Sequence, residues 1–379
     1  MSETAAVLFW ISAALIAYGY IGYPMLARLL SRIVPQPVKK GGGAVPVTFI
    51  IAAYNEEKNI AAKIENTLAL SYPRNCLDIV VAADGSTDET VRIAQRYASL
   101  GVRVLHKPRR EGKTSAIDRA AATSRADILF FSDANTVYNE NAVLHMVRNF
   151  ADPSVGGVSG RKIVLDNAAR GATAGEKAYW EYEVSLKMSE SLLGSIVTAD
   201  GEIFAMRRSL FKPIPAHIVH DDMYLTLTIV KAGRRVVYEH EATSAEFASP
   251  TLTDEFHLKV RYASAGFQIV ATFPSVLLNP LRPFAWAFFS HKVLRWLAPV
   301  FLLTALFASA AAAPTPLYLA AFIVQCVLYG LAATGAVLNS RRGLLYFLSY
   351  FAVMNTAALY GIARFLTTGQ SPVWRKAQR

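Results

Sequence analysis

Apolar and polar positions fall into two regimes along the chain. Thr4–Ala27, Trp296–Ser340 and Gly343–Ala363 carry no Asp, Glu, Lys or Arg, and about 20 apolar residues suffice to cross a bilayer as a helix. The pattern predicts a first membrane span over Val7–Leu30, too long and too poor in flanking basic residues at its start for a cleaved secretory signal. Pro314-Thr315-Pro316 divides the middle stretch into spans over about 297–313 and 317–338, and a fourth is expected over about 343–367. Between the first and second spans the pattern changes to short β-rich runs, Val47–Ile51, Leu77–Val81, Val102–Leu105 and Ile128–Phe131, alternating with helix-like stretches at about 56–70, 87–99 and 112–124. That alternation predicts an α/β domain with a mostly parallel sheet.

Composition agrees with this division. Of 379 residues, 53% are hydrophobic and only 18% charged, and 39 basic against 28 acidic side chains give a net charge of +11. Mean hydropathy is +0.28, which excludes a disordered tail and argues against a soluble nucleic-acid binder. The surplus of Lys and Arg suits anionic lipid headgroups. Cys76 and Cys326 support neither a disulfide framework nor a zinc site.

Basic residues flank the spans at Arg28, Arg32, Lys39 and Lys40, at Arg282, Lys292 and Arg295, and at Arg341 and Arg342. By the positive-inside rule all three groups place the central region in the cytoplasm, while the basic tail Trp374-Arg375-Lys376 conflicts with an even number of spans. The expected organisation is a membrane anchor over residues 1–34, a cytoplasmic domain over 35–279, an interfacial amphipathic helix over 280–296 and a C-terminal membrane region with a basic tail over 297–379. The stretch 280–296 reads equally as the cytoplasmic end of the second span. Gly41–Gly43 reads as a linker.

In parallel sheets ligands bind beyond the carboxyl ends of strands, so chemistry is sought there. The first strand runs into Ala53-Tyr54-Asn55-Glu56, the second into Asp84-Gly85-Ser86-Thr87-Asp88 and the fourth into Ser132-Asp133-Ala134-Asn135. Each alone reads as a turn or helix cap. Together they bring carboxylates to one edge, where a base, a ribose and a divalent metal can be held. Lys113 follows Gly112 without the upstream glycine of a phosphate-cradling loop. Thr198-Ala199-Asp200-Gly201-Glu202 is a further acidic turn, and His220-Asp221-Asp222 opens a helix-like run. Adjacent carboxylates there suit the helix dipole, and they also raise one another's pKa, which is useful in a general base. His220 abuts the acidic pair and is a minor candidate for touching metal or substrate.

In this order the motifs resemble the membrane-bound family 2 glycosyltransferases, the group of cellulose, chitin, hyaluronan and poly-N-acetylglucosamine synthases. The likeness rests on Ile51-Ala52-Ala53-Tyr54-Asn55-Glu56, Asp84-Gly85-Ser86-Thr87-Asp88, Gly112-Lys113, Ser132-Asp133-Ala134-Asn135, Ala199-Asp200-Gly201-Glu202 and Asp221-Asp222-Met223-Tyr224-Leu225. It covers roughly Val45–Gln268 and implies a GT-A fold that transfers a sugar from a nucleotide-diphosphate donor, UDP by preference, with inversion. By this resemblance Ala53, Tyr54, Glu56, Asp84, Lys113, Asp133 and Arg261 belong to the donor site. Asp133 and Asn135 would hold Mg2+ or Mn2+, and Asp222 with Asp221 supplies the catalytic acids, Asp222 as base. Asp200, Gly201, Glu202 and Tyr262 fall to the acceptor. Two positions depart from the family: Asn135 replaces a charged ligand, and Tyr262 follows Arg261 where processive members carry Trp. The resemblance implies a growing polysaccharide or lipid-linked glycan as acceptor, membrane lipids and export proteins as partners, and a bacterial inner membrane as location. Single-sugar transfer to a polyprenyl phosphate or a lipid-linked oligosaccharide, and a degenerate scaffold subunit, remain as alternatives.

Overall fold

The computed structural model describes residues 2–165, 174–247, 252–279, 282–338, 340 and 343–367. Arg341, Arg342 and the basic tail lie outside the described residues.

All four β-rich runs form strands: β1 (Val47–Ala53), β2 (Leu77–Asp84), β3 (Val102–Lys107) and β4 (Ile128–Asp133). They pair in parallel, with β1 between β2 and β4. The sheet continues through β5 (Val137–Tyr138), β6 (Val155–Leu165), β7 (Ile203–Arg207) and β8 (Arg235–Phe247). Its order is β3-β2-β1-β4-β7-β6-β8-β5, and β7 runs antiparallel to both neighbours, so the sheet is mixed. Period-two alternation gives it two buried faces. Phe49 and Ile51 pack with Ile60, Ile64, Val143 and Met146 on one side. Ile50, Val80 and Leu129 pack on the other with Ile117 and Leu227, and that layer extends to Ile269 and Phe288. Each fully buried large apolar side chain contributes about 1.5–3 kcal/mol, so the second face is stabilised partly by residues next to or inside the membrane region.

Among the described residues four helical runs are long and apolar enough to cross a membrane: Glu3–Ile33, Pro283–Ala311, Pro316–Val337 and Gly343–Thr367. From Pro283 onward the stretch expected as an interfacial helix continues into the second span. Its amphipathic part, Phe289–Val293, is a π-helical turn facing a similar turn, Tyr18–Gly22, in the first span. There Tyr18 Oη and Ser290 Oγ lie 3.0 Å apart. The fourth span packs along the helix Leu252–Thr272. At Gly361 a Cβ would fall 2.6 Å from Ala263 Cβ, so only glycine permits this approach.

The domain meets these spans through a buried polar seam. Glu183 and Glu190, on the helix Ala174–Leu193, flank His291, with Nε2 to Glu183 Oε2 at 3.1 Å and Nδ1 to Glu190 Oε1 at 2.8 Å. Arg295 and Lys292 reach Glu183 at 2.5 and 3.4 Å, and Tyr23 Oη donates to Glu190 at 2.8 Å. Nor does the glycine-rich stretch after the first span behave as a free tether. Gln36 N–H donates to Leu192 O at 2.6 Å, Lys39 N–H to Asp152 Oδ2 at 3.2 Å and Gly41 N–H to Arg148 O at 2.9 Å, while Lys40 pairs with buried Glu239 at 2.7 Å.

Candidate active site

The carboxyl ends of β1, β2 and β4 form the floor of the site. Sheet register sets Asp133 beside Ala52, and Ala53 beside Ala83, one residue before Asp84. Asn55 adopts φ +50°, a conformation that Asn tolerates better than most side chains. Its Oδ1 accepts the Thr87 N–H at 2.8 Å and its own N–H donates to Ser86 Oγ at 3.2 Å, tying the first two loops together. Asp88 caps the following turn, accepting the Thr90 N–H at 3.0 Å and the Glu57 N–H at 3.1 Å.

Asp84 is 3% exposed. Its Oδ2 accepts the N–H groups of Glu111 at 2.9 Å and Gly112 at 2.7 Å. Its Oδ1 is buried without a hydrogen-bond partner, 3.7 Å from the Arg119 guanidinium. Such an orphan acceptor costs about 1–3 kcal/mol, and it fits an N–H or O–H from a ligand. The Arg110 guanidinium lies 3.7 Å above the Tyr54 ring. Gly85 lets the backbone of Arg110 settle there, since a Cβ at Gly85 would fall 2.6 Å from Arg110 N. Glu56 is nearly buried, and its Oε2 accepts from Asn59 Nδ2 at 2.7 Å, at the start of the helix Ile60–Leu68.

Lys113, the first residue of the helix Lys113–Ala122, joins β4 to the acidic pair. Its Nζ lies 2.8 Å from Asp133 Oδ1 and 3.5 Å from Asp221 Oδ2. Burial works against the Lys113 charge, yet Asp133 and Asp221 hold its pKa well above the ordinary lysine range. The Asp133 loop rests on Lys63, which is buried in the core and donates to Thr136 O at 3.0 Å and Thr136 Oγ1 at 3.2 Å.

Asp221 and Asp222 open the helix Asp221–Lys231 and have different surroundings. Burial lifts the Asp221 pKa against the pull of Lys113, and Asp222 and Asp133 add to the rise. Burial would lift Asp222 as well, but His220 and Lys113, with the Met223 N–H, hold it well below the usual carboxylate range. The pair therefore splits rather than rising together. Asp222 Oδ1 bonds to His220 Nδ1 and accepts the Met223 N–H at 2.7 Å, and its Oδ2 accepts the Gly201 N–H at 3.2 Å. His220 stacks on Tyr262, with ring centroids 5.3 Å apart and planes at 26°. Arg261 lies 5.3 Å from the Tyr262 ring centroid.

Asp200 and Glu202 turn toward neighbouring lysines. Asp200 Oδ1 pairs with Lys187 Nζ at 2.5 Å, and Glu202 Oε1 lies 3.4 Å from Lys162, which also holds Glu246. Burial raises the Glu202 pKa, and Lys162 only partly offsets it. Thus Lys113 joins Asp133 to the Asp221–Asp222 pair, Gly201 and His220 hold Asp222, and Tyr262 stacks on His220. Tyr54 and Asp84 line the adjoining β1–β2 loops.

Residues 48–214 match the family described as glycosyl transferase family 2. That match covers somewhat less than half of the chain. Its relatives include poly-beta-1,6-N-acetyl-D-glucosamine synthases from Staphylococcus aureus (strain COL), 24% identical over 229 residues, 59% of this chain and 55% of that protein. The counterpart from Staphylococcus epidermidis is 22% identical over 69% of this chain and 63% of its own. The matched part therefore spans little more than half the length of the first of these relatives. In fold, the chain resembles a mannosyltransferase, PcManGT, from Pyrobaculum calidifontis, solved with GDP-Man and Mn2+. The TM-score is 0.72, with 24% identity over 96% of this chain and all of that one. The likeness runs through the membrane helices as well as the GT-A domain.

Within the matched region, Asp133 is about one-third exposed at a strand end, and Asn135 lies two residues on. Among the described residues no three His, Cys, Asp or Glu side chains are grouped to hold a metal by themselves. This donor set fits a hard cation bound through one carboxylate and substrate phosphates, the usual arrangement for Mg2+. Sequence reasoning gave no role to Lys63, Arg119 or Lys187. Lysine and arginine residues read as surface until the fold buries them against a loop.

Proposed function

We propose that the protein is an inverting glycosyltransferase that moves a sugar from a nucleotide-diphosphate donor to a hydroxyl of a growing or lipid-linked glycan at the cytoplasmic membrane face. The observation that carries this reading is the Lys113 bridge, 2.8 Å from Asp133 and 3.5 Å from Asp221. It places a cation suited to a diphosphate between the metal-loop acid and the acidic pair. Asp84 Oδ1 would accept from the donor base or ribose, and Tyr54 would face the base. Asp133 and Asn135 would hold Mg2+ or Mn2+, which when bound neutralises charge on the leaving diphosphate. Lys113 would meet the same phosphates as a point charge. Asp222 would serve the proton transfer that an attacking hydroxyl requires. Exposed Tyr262 offers an apolar face to an acceptor sugar.

The synthase relatives favour a polymer of N-acetylglucosamine, and the GDP-mannose complex of the structural neighbour adds a guanosine donor to those worth offering. The test is nucleotide release by the purified protein from UDP-, GDP- and dTDP-sugars, with Mg2+ or Mn2+ and membrane lipid extract, beside D222N. Metal-dependent release from one donor, lost in D222N, is the expected result, and product size then separates polymer from single addition. Release unchanged in D222N, or none with any donor, would overturn the reading.

A further inference from the structure

Asp222 has little capacity left to take a proton. Its Oδ1 is engaged by His220 Nδ1 and the Met223 N–H, its Oδ2 by the Gly201 N–H, and all these partners favour the ionised form. An ionised carboxylate only accepts hydrogen bonds, so the hydrogen between Asp222 and a neutral His220 sits on Nδ1 and the ring's lone pair on Nε2. We infer that His220 and Asp222 work as a dyad, in which His220 Nε2 takes the proton from the acceptor hydroxyl and Asp222 orients and tautomerises the ring. The inference rests on the glycosyltransferase reading above.

Three further observations fit this role. His220 stands just before the helix Asp221–Lys231 but makes no side-chain cap to it, so the residue is not explained by helix initiation. Its ring plane is set from the other side by Tyr262, at a 5.3 Å centroid separation. Its side chain is 14% exposed, enough for one ring edge to be reached. Among the described residues, the charged and titratable groups around it are Asp222 and Asp221 on the helix that follows it, Lys113 beyond Asp221, and Tyr262 with Arg261 on the facing helix.

In the step, the hydroxyl oxygen forms a bond to the anomeric carbon while its proton passes to Nε2. The anomeric carbon–oxygen bond to the diphosphate breaks, and its electron pair leaves with the nucleoside diphosphate. The imidazolium then returns its proton to solvent. A phosphate acceptor, already ionised at neutral pH, needs no such base, so the dyad commits the acceptor to a hydroxyl.

Two arms test this on the full chain in nanodiscs. In the first, nucleotide release is followed with the donor that turns over, comparing wild type, H220Q and H220A. Loss of kcat on the order of 10²–10⁴-fold with donor KM unchanged, and recovery of H220A activity by added imidazole, is expected. Retention of kcat within about threefold in H220Q, with no imidazole effect, makes Asp222 itself the acceptor and overturns the dyad. The second arm needs no turnover. In ¹⁵N-histidine-labelled protein, with His220 assigned by its loss in H220Q, the neutral ring should be the Nδ1–H tautomer, and an Nε2–H tautomer overturns the proposal. Failure of wild type to release nucleotide from any donor strikes the glycosyltransferase reading, and the tautomer result still decides the geometry of the pair.

Discussion

The backbone N–H of Gly201 donates to Asp222 Oδ2 at 3.2 Å, and a Cβ on residue 201 would come within 3.1 Å of that same oxygen. The loop after Asp200 thus holds Asp222 as closely as it can, and it does so with a residue assigned from sequence to the acceptor. G201A should push the carboxylate aside while leaving the donor loops alone. The expected result is a fall in kcat of up to about 10²-fold with donor KM unchanged, read from steady-state nucleotide release.

Lys113 is the link between the metal loop and the acidic pair. K113M removes the proposed charged partner of the donor phosphates and leaves Asp133 and Asp221 to repel each other. A hydrogen bond to a charged group contributes about 1.5–3 kcal/mol, so donor affinity should drop roughly 10–100-fold, measurable by calorimetry with nucleoside diphosphate and Mn2+. Unchanged affinity would remove Lys113 from the donor site.

Lys63 acts from beneath. Its Nζ donates twice to Thr136 and lies 3.7 Å from the Tyr138 ring centroid. K63M keeps the apolar stem and deletes both hydrogen bonds, so the loop carrying Asp133 and Asn135 loosens. A rise in the Mn2+ concentration needed for half-maximal activity is expected, without loss of the folded protein by circular dichroism.

Asp118 supplies a pH signature away from the site. It accepts the Ile214 N–H at 3.0 Å through either oxygen, and burial raises its pKa from 3.8 to about 6 against that bond. A pKa raised by folding means the folded state binds the proton more tightly. Its stabilising contribution is therefore complete below pH 3.8 and lost as pH rises through about 6. D118N retains an oxygen for Ile214 and cannot ionise. Its thermal midpoint in detergent should fall less than that of wild type between pH 4 and 7.

Glu183 is the shared counter-charge of His291, Lys292 and Arg295. Removing one partner of a buried ion cluster costs about 3–5 kcal/mol, so E183Q should lower the detergent melting temperature sharply by fluorescence-detected size exclusion. An unchanged midpoint would show that the seam contributes nothing to attachment.

Much of the first half of the sheet is legible in the sequence because β1 to β4 are short runs rich in Val, Ile, Leu and Phe followed by polar turns. The second half hides itself. In β6, Gly156, Gly157 and Gly160 stand where a Cβ would strike Ile229 or Ile203 at 2.5–2.8 Å, so close packing demands the residues that weaken a strand signal. In β8 the charges of Glu239 and Glu246 are buried against Lys40 and Lys162, partners far away along the chain. The acids of the site are visible from their order. The opposite shifts of Asp221 and Asp222 are not, because their burial and the pull of Lys113 arise only in the tertiary fold.

Because Gln36, Lys39, Lys40 and Gly41 are all bonded to the domain, the candidate site has no leash on which to travel. A protein mounted so stiffly beside its own spans works like a lathe with a fixed tool rest. On the reading proposed above it would meet acceptors at one height above the bilayer, and substrates of other lengths would have to bend, slide or be carried to that plane.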